Sequence, residues 1–148
     1  MTTQGVTVLD PEALGPKPGI YSAMTSIPLS PNTTQYYISG QTGEDLTTND
    51  LPPDLETQLD NILKRLSICL EHVGAKKTDL ATFHYYLRQS AVEDLDAREF
   101  EGALKVVYGK VGPWLEGHRP ASCYSRTFGM SHPRYLCEIS AVAVVYKP

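Results

Sequence analysis

The sequence predicts an α+β domain in which one small mixed sheet carries two helices on one face. Short apolar, β-branched segments are interleaved with two longer segments of helical period, in the order β-β-α-β-α-β-β. Several strand segments are apolar at nearly every residue, so both faces of the sheet need cover. Two helices cover one face only. Burial of the other face by further copies of the chain would satisfy this pattern.

Length, composition and charge fit one domain, residues 1–148, with 41% apolar and 20% charged residues. No apolar run of 18 residues is present and the N-terminus lacks a secretory pattern, so we expect no membrane span and a cytoplasmic location. Three cysteines without a CxxC pair favour reduced thiols over a disulfide framework or a metal site, and nothing in the sequence calls for a cofactor. A net charge of −4 without a basic cluster argues against nucleic acid as a partner.

The first half of the chain contains an arm, a hairpin and a helix. Residues 1–19 are rich in glycine and proline, which predicts an irregular arm. Segments 20–27 and 35–39 alternate as strands around a turn at Pro28, Pro31 and Asn32, and the second strand ends at Gly40. Apolar residues recur with a period of 3.6 from Leu55 to Val73, which predicts a helix that Gly74 ends.

The second half repeats the alternation of strand and helix. Residues 80–88 are predicted to form a strand, and 93–111 a helix that Gly112 and Pro113 terminate. The last two strands are predicted at 119–127 and 135–146.

Glu138 is the ionisable residue inside the last and most apolar strand segment. A carboxylate there is costly unless it is paired or has a chemical role. The alternative is an edge-strand carboxylate that points to water, and both interpretations stay open at this point. Strand alternation places Leu136 and Ser140 on the face of Glu138, so a partly dry cleft would raise the pKa of the carboxyl and suit it to acid–base work.

The order of several short motifs resembles that of the RidA family, also called YjgF-like or L-PSP endoribonuclease-like proteins. The resemblance covers residues 19–145 and rests on Tyr21 after the Pro-Gly arm, Ser39-Gly40-Gln41, the 55–74 helix, Tyr86-Leu87-Arg88, Arg119-Pro120-Ala121 and Glu138-Ile139-x-Ala141-x-Ala143. It implies a chorismate-mutase-like fold. It also implies a homotrimer with three clefts between subunits, which agrees with the uncovered sheet face.

The resemblance also implies roles for individual residues. Glu138 matches the acid that positions or activates water, Ser39 and Gly40 match the part of the cleft beside a small-molecule substrate, and Tyr21 matches its aromatic lip. Cys123 is a candidate nucleophile or general acid, with a small buried strand residue as the alternative.

One family feature is missing from the sequence. In the deaminases of the family, an arginine directly after Pro-Ala grips the substrate carboxylate, and here that position is Ser122, or Ala121 in a shifted register. Arg126 shares a strand face with Ser122 but lies roughly 13 Å along the strand. Hydrolysis of 2-imino acids in its usual form is therefore not expected, although Ser122 and Arg126 remain candidate substrate-binding residues.

The family resemblance and the missing arginine leave three candidate functions. The first is a RidA-like enzyme that hydrolyses, deaminates, hydrates or dehydrates an activated C=N or C=C with Glu138 as acid and base. The missing arginine would suit such an enzyme to specialised metabolism. The second is a non-catalytic trimer that binds a metabolite or a protein surface, or acts as a chaperone. The third is a ribonuclease, which the acidic chain disfavours because it has no phosphate-binding cluster.

Overall fold

The structure, a computed structural model, describes residues 5–16, 19–88 and 97–148. One six-stranded sheet has the order β1-β2-β3-β6-β4-β5, and every neighbouring pair is antiparallel except β4 and β5. The elements are β1 Thr7–Leu9, β2 Met24–Ser30, β3 Thr33–Gln41, α1 Leu55–His72, β4 Leu80–Arg88, α2 Ala97–Trp114, β5 Ala121–Thr127 and β6 Cys137–Tyr146. The predicted α+β class, with a mixed sheet and two helices, is confirmed.

The core lies between the two helices and one face of the sheet. Strand β6 alternates strictly, with Cys137, Ile139 and every second residue after them buried, as its period of two requires. Leu59 and Ile62 of α1 and Val107 of α2 are 0% exposed in the same apolar cluster. We call this side of the sheet the helix face and the opposite side the open face.

Two sequence predictions about the first strands need correction. The arm contains a short strand, β1, which pairs with β2 at the sheet edge, and a 3-10 turn at Glu12–Leu14. Strand β2 starts at Met24 and continues through Pro28, where the pairing with β3 is irregular. Proline is tolerated at such an irregularity because the ladder needs no N–H there.

Helix α2 also ends later than predicted. It runs through Pro113 to Trp114, and the Leu115 amide donates to the Val111 carbonyl at 2.9 Å just beyond it. A proline in the last turn removes a single helical hydrogen bond, so the helix continues past it. The predicted start at 93–96 lies outside the described residues.

The open face carries both polar and apolar side chains. Glu138 on β6 pairs with Tyr86 on β4, and Val142 and Val144 are half-buried on the same face of β6. Tyr37 on β3 is 43% exposed. Within the described residues, neither helix combines the length and hydropathy needed to cross a bilayer.

Candidate functional site at the open face

A pocket of about 330 Å³ lies where β3 ends and β6 begins. It lies at the face of the sheet without helices, because Glu138 follows the buried Cys137 and therefore points the other way. Its walls are polar for the most part and come from three separate stretches of the chain. The lining residues are Tyr21, Ser39, Gly40, Thr42, Ser131, Tyr135 and Glu138. We call this pocket the acidic cleft.

Gly40 is the residue against which the Glu138 side chain packs. A Cβ atom at Gly40 would overlap Oε1 of Glu138 and lie 2.5 Å from its Cδ. The pairing of β3 with β6 is irregular between Ile38 and Gln41, so the strand bulges where Gly40 lies. The missing side chain therefore creates the space that the carboxylate occupies.

Glu44, a second carboxylate, lies behind the cleft wall. Thr42 Oγ1 donates to Glu44 Oε2 at 2.7 Å, and the Tyr135 hydroxyl donates to Glu44 Oε1. Both donors also line the cleft. Glu44 therefore orients the Thr42 and Tyr135 hydroxyls in the cleft wall, and its negative charge lies close to the cleft.

The pKa values of the two carboxyls are displaced in opposite directions. Burial, followed by repulsion from Glu44, raises the pKa of Glu138. Burial also raises the pKa of Glu44, but the hydrogen bonds from Thr42 and Tyr135 outweigh it, and the net pKa is lowered. Burial and the bond to Glu44 raise the pKa of Tyr135 to about 12, so its hydroxyl stays protonated and continues to donate.

Three polar side chains of α1 hold the walls of the cleft in place. Asn61 Nδ2 donates to the Gly43 carbonyl at 3.0 Å, and Arg65 donates through two nitrogens to the Glu44 carbonyl at 3.2 Å. Gln58 bonds the chain that leads into β6. All three side chains are almost completely buried, and the spacing 58, 61, 65 places them on one stripe of the helix. Asn61 and Arg65 position the loop that carries Glu44, and Gln58 fixes the segment that precedes β6.

The structure brings four of the residues expected from the sequence together in the acidic cleft: Tyr21, Ser39, Gly40 and Glu138. Tyr21 is 54% exposed at the edge of the cleft. Ser39 Oγ donates to the Ser22 carbonyl at 2.7 Å, so towards a ligand this hydroxyl is left as an acceptor.

The structure does not bring Ser122, Arg126 or Cys123 into that cleft. Ser122 and Arg126 pair with Phe83 and Leu87, two buried residues of the helix face, and so lie on the opposite side of the sheet from Glu138. Cys123 is on the open face but is exposed, and it lies on β5, two strands from β6. The alternative interpretation of position 123, a small buried residue, is wrong because the side chain is exposed.

Sequence reasoning missed Thr42, Glu44, Ser131 and Tyr135, which all lie outside the strands and helices. A signal was present for one of them, because Glu44 follows the Ser39-Gly40-Gln41 motif by three residues. Among the residues that the structure describes, no three side chains of His, Cys, Asp or Glu converge as metal ligands.

Comparison with known protein families assigns the chain to one of them. The model of the family described as endoribonuclease L-PSP matches residues 21–145, which is most of the sequence. The chain belongs to this family. It is the RidA or YjgF family that the sequence motifs indicated. A sequence comparison with curated proteins gave no significant match.

Solved structures of low sequence identity share the fold. The YjgF gene product of E. coli is 20% identical, with a TM-score of 0.70 over 93% of this chain and 98% of that one. YyfA of Yersinia pestis is 19% identical, with a TM-score of 0.71 over 95% and 100%. E. coli TdcF, solved with bound serine, is 16% identical, with a TM-score of 0.71 over 95% and 99%.

Proposed function

We propose that the chain is a RidA-type acid–base enzyme that acts on an activated C=N or C=C bond, with Glu138 as the proton carrier. The observation that carries the proposal is the pair of carboxyls at the acidic cleft. Glu138 has a raised pKa, whereas Glu44 is kept ionised by Thr42 and Tyr135. Two carboxyls whose pKa values are pushed apart suit one proton carrier and one fixed negative charge.

Hydrolysis of an imine illustrates the chemistry. Protonated Glu138 gives its proton to the imine nitrogen, and the resulting carboxylate takes a proton from water as the water oxygen bonds to carbon and the C=N pair moves to nitrogen. Glu138 then protonates the nitrogen of the carbinolamine and the amine leaves. The Glu138 carboxylate takes the carbinol proton as the carbonyl forms, which restores the protonated acid. The charge of Glu44 stabilises the positive nitrogen in the first step.

The cleft favours a substrate without a carboxylate. None of the described residues that line it is Lys or Arg, and the open face of β5 carries Ala121, Cys123, Ser125 and Thr127. We expect weak hydrolysis of 2-aminoacrylate, measured by semicarbazone trapping. A rate equal to that of an arginine-bearing family member would contradict this. Arg88, on the open face of β4 with its Nε lacking an acceptor, would then be the first residue to replace by Gln.

A homotrimer would complete the cleft and cover the open face. The exposed Tyr37 and the half-buried Val142 and Val144 form part of an apolar surface there, as expected for contact with further copies. Light scattering at micromolar concentration should give three times 16.3 kDa. A monomer would remove the support for clefts between subunits.

Replacement of Glu138 tests the enzymatic role. Glu138→Gln keeps the shape of the side chain but removes its proton transfer, so turnover should fall about 100-fold to 10,000-fold. The assay follows a carboxylate-free imine that an amine oxidase generates in the cuvette. The control is Glu71→Gln, an exposed carboxamide substitution on α1 away from the cleft, which should keep the native rate.

Thermal melting of both variants separates the outcomes. A folded Glu138→Gln protein with native turnover would contradict the catalytic role and leave the non-catalytic binding trimer as the better proposal. A variant that melts early but keeps its rate per folded protein would assign the carboxylate to the interface instead.

A further inference from the structure

A second pocket, of about 340 Å³, lies on the helix face between the last turns of α2 and the start of β5. Three tyrosines line it, one from each of β4, α2 and β5: Tyr85, Tyr108 and Tyr124. The pocket is within the size range of small-molecule sites, about 300–1,000 Å³. We call it the aromatic pocket. It does not include Glu138 or any other residue of the acidic cleft.

The three tyrosine rings form a defined platform. Tyr85 and Tyr124 stack with ring centroids 4.2 Å apart and planes within 2°, and Tyr108 meets Tyr124 edge-on at 6.1 Å and 84°. Tyr85 is 3% exposed, whereas Tyr124 is 36% and Tyr108 56% exposed. One ring is therefore fixed in the core while two present their surfaces to the pocket. Such surfaces pack well against a further planar ring.

Gly112 keeps one wall of the aromatic pocket open. It lies inside α2, where glycine costs about 0.5–1 kcal/mol relative to alanine. A Cβ atom at Gly112 would meet no atom within 4 Å, so packing does not require a glycine there. The missing side chain instead leaves space in the pocket.

The charge of the aromatic pocket is opposite to that of the acidic cleft. Among the described residues that line it, none is Asp or Glu, and the exposed Arg119 lies at its mouth. His118 is held by a 2.7 Å contact between Nε2 and the Leu80 carbonyl, which requires that nitrogen to carry the proton. The chain as a whole has a net charge of −4. In the aromatic pocket, however, an anionic ligand would find a positively charged side chain and no carboxylate among the described lining residues.

We propose that the aromatic pocket is a second binding site, which takes a small planar aromatic molecule that carries a carboxylate. The ring lies against Tyr124 and Tyr108 in the space left by Gly112, and the carboxylate faces Arg119. The site is independent of the proposed chemistry at Glu138, because the two pockets open on opposite faces of the sheet.

Titration with benzoate tests the proposal by following the backbone amide resonances of the ¹⁵N-labelled full chain. Benzoate should shift the Gly112 and Gly117 resonances saturably, with a Kd on the order of 1 mM, as expected for a ligand of its size. Neutral benzamide and non-aromatic cyclohexanecarboxylate should each bind about five- to tenfold more weakly. Arg119→Gln should remove the difference between benzoate and benzamide.

A matched pair of glycine substitutions tests whether benzoate binds in the aromatic pocket. Gly112→Leu fills the pocket and also favours the helix, so loss of benzoate binding in this variant does not reflect unfolding. Gly102→Leu on the same helix, where a Cβ also meets nothing within 4 Å, should bind benzoate as the native chain does. Three results would overturn the proposal: benzoate shifts at Gly40 instead, binding that survives Gly112→Leu, or a change of oligomeric mass in Gly112→Leu, which would make the pocket an interface between copies.

Discussion

The acidic cleft and the aromatic pocket lie on opposite faces of one sheet and differ in almost every property. Two consecutive residues of β4 face the two sides. Tyr85 stacks in the aromatic pocket, and Tyr86 is the strand partner of Glu138 on the open face. The helix face supplies rings and one cation to its pocket, whereas the open face supplies hydroxyls and one carboxylate. A strand that alternates its side chains can thus support two unrelated chemistries at one point along its length.

Each pocket has a glycine in its wall, and the two glycines differ in what occupies the space of the missing side chain. At Gly40 the space of the missing side chain is occupied by the carboxylate of Glu138, whereas at Gly112 that space is empty. The same substitution should therefore have opposite consequences at the two sites.

Of the two glycine substitutions, Gly40→Ala is expected to have the larger effect. The methyl group displaces the Glu138 carboxylate, and a misplacement of about 1 Å can cost about 100-fold in rate. The colliding atoms are at the end of a side chain, so the fold should survive. Turnover and melting temperature measured together check this, with Gly102→Ala as the control of native activity. Native turnover in Gly40→Ala would show that the carboxylate need not occupy its present position.

Gly112→Ala should instead raise the free energy of unfolding by about 0.5–1 kcal/mol, because alanine favours the helix and its methyl meets nothing. Chemical denaturation measures the change. A loss of stability would indicate that the wall of the aromatic pocket is already filled.

A smaller effect concerns the dependence of stability on pH. The pKa of Glu138 is raised in the folded chain, so ionising the carboxyl as pH rises through that pKa costs stability, and Glu138→Gln removes this cost. The variant should melt above the native protein at pH 8, and the difference should shrink below about pH 4.3, the ordinary Glu value. A lower melting temperature at pH 8 would reveal a stabilising partner of the ionised carboxylate.

The smallest effect is expected for Glu44→Gln, which tests the coupling inside the acidic cleft. Without the repulsion from Glu44, the pKa of Glu138 should fall, and the pH dependence of turnover should move to lower pH. The pKa should stay above its ordinary value, because burial is the larger cause. An unchanged pH profile would mean that Glu44 does not influence the proton carrier.

Elements with a strong hydrophobic period were predictable from the sequence. Strand β4 was predicted with the bounds that the structure has, and α1 ends one residue before the predicted limit. The arm was less predictable, because its glycines and prolines obscured Thr7–Leu9, a strand of three residues held by pairing with β2. Pairing of this kind depends on tertiary structure and leaves little trace in local sequence.

The acidic cleft was predictable where it lies on strands. Gly40 and Glu138 could be placed because strand parity and family motifs indicate them, whereas Glu44 and Tyr135 meet across 91 residues of sequence. Ser122 and Arg126 show the limit of parity alone. Alternation along the strand places both residues on one face of β5. Which face the helices cover depends on the pairing of β5 with β4, and the sequence does not show that pairing.

Gln58 has a consequence for the motion of the cleft. Its amide nitrogen donates to the carbonyls of Pro52 and Arg134, and its oxygen accepts from the Leu136 amide, all from a side chain that is 0% exposed. The chain that precedes β6 therefore cannot lift away alone. It can open only when the first turn of α1 frays with it, because otherwise buried polar groups would lose their partners. That wall of the cleft is therefore fixed to α1 and does not move alone, so the proposed substrate would enter past the exposed Tyr21.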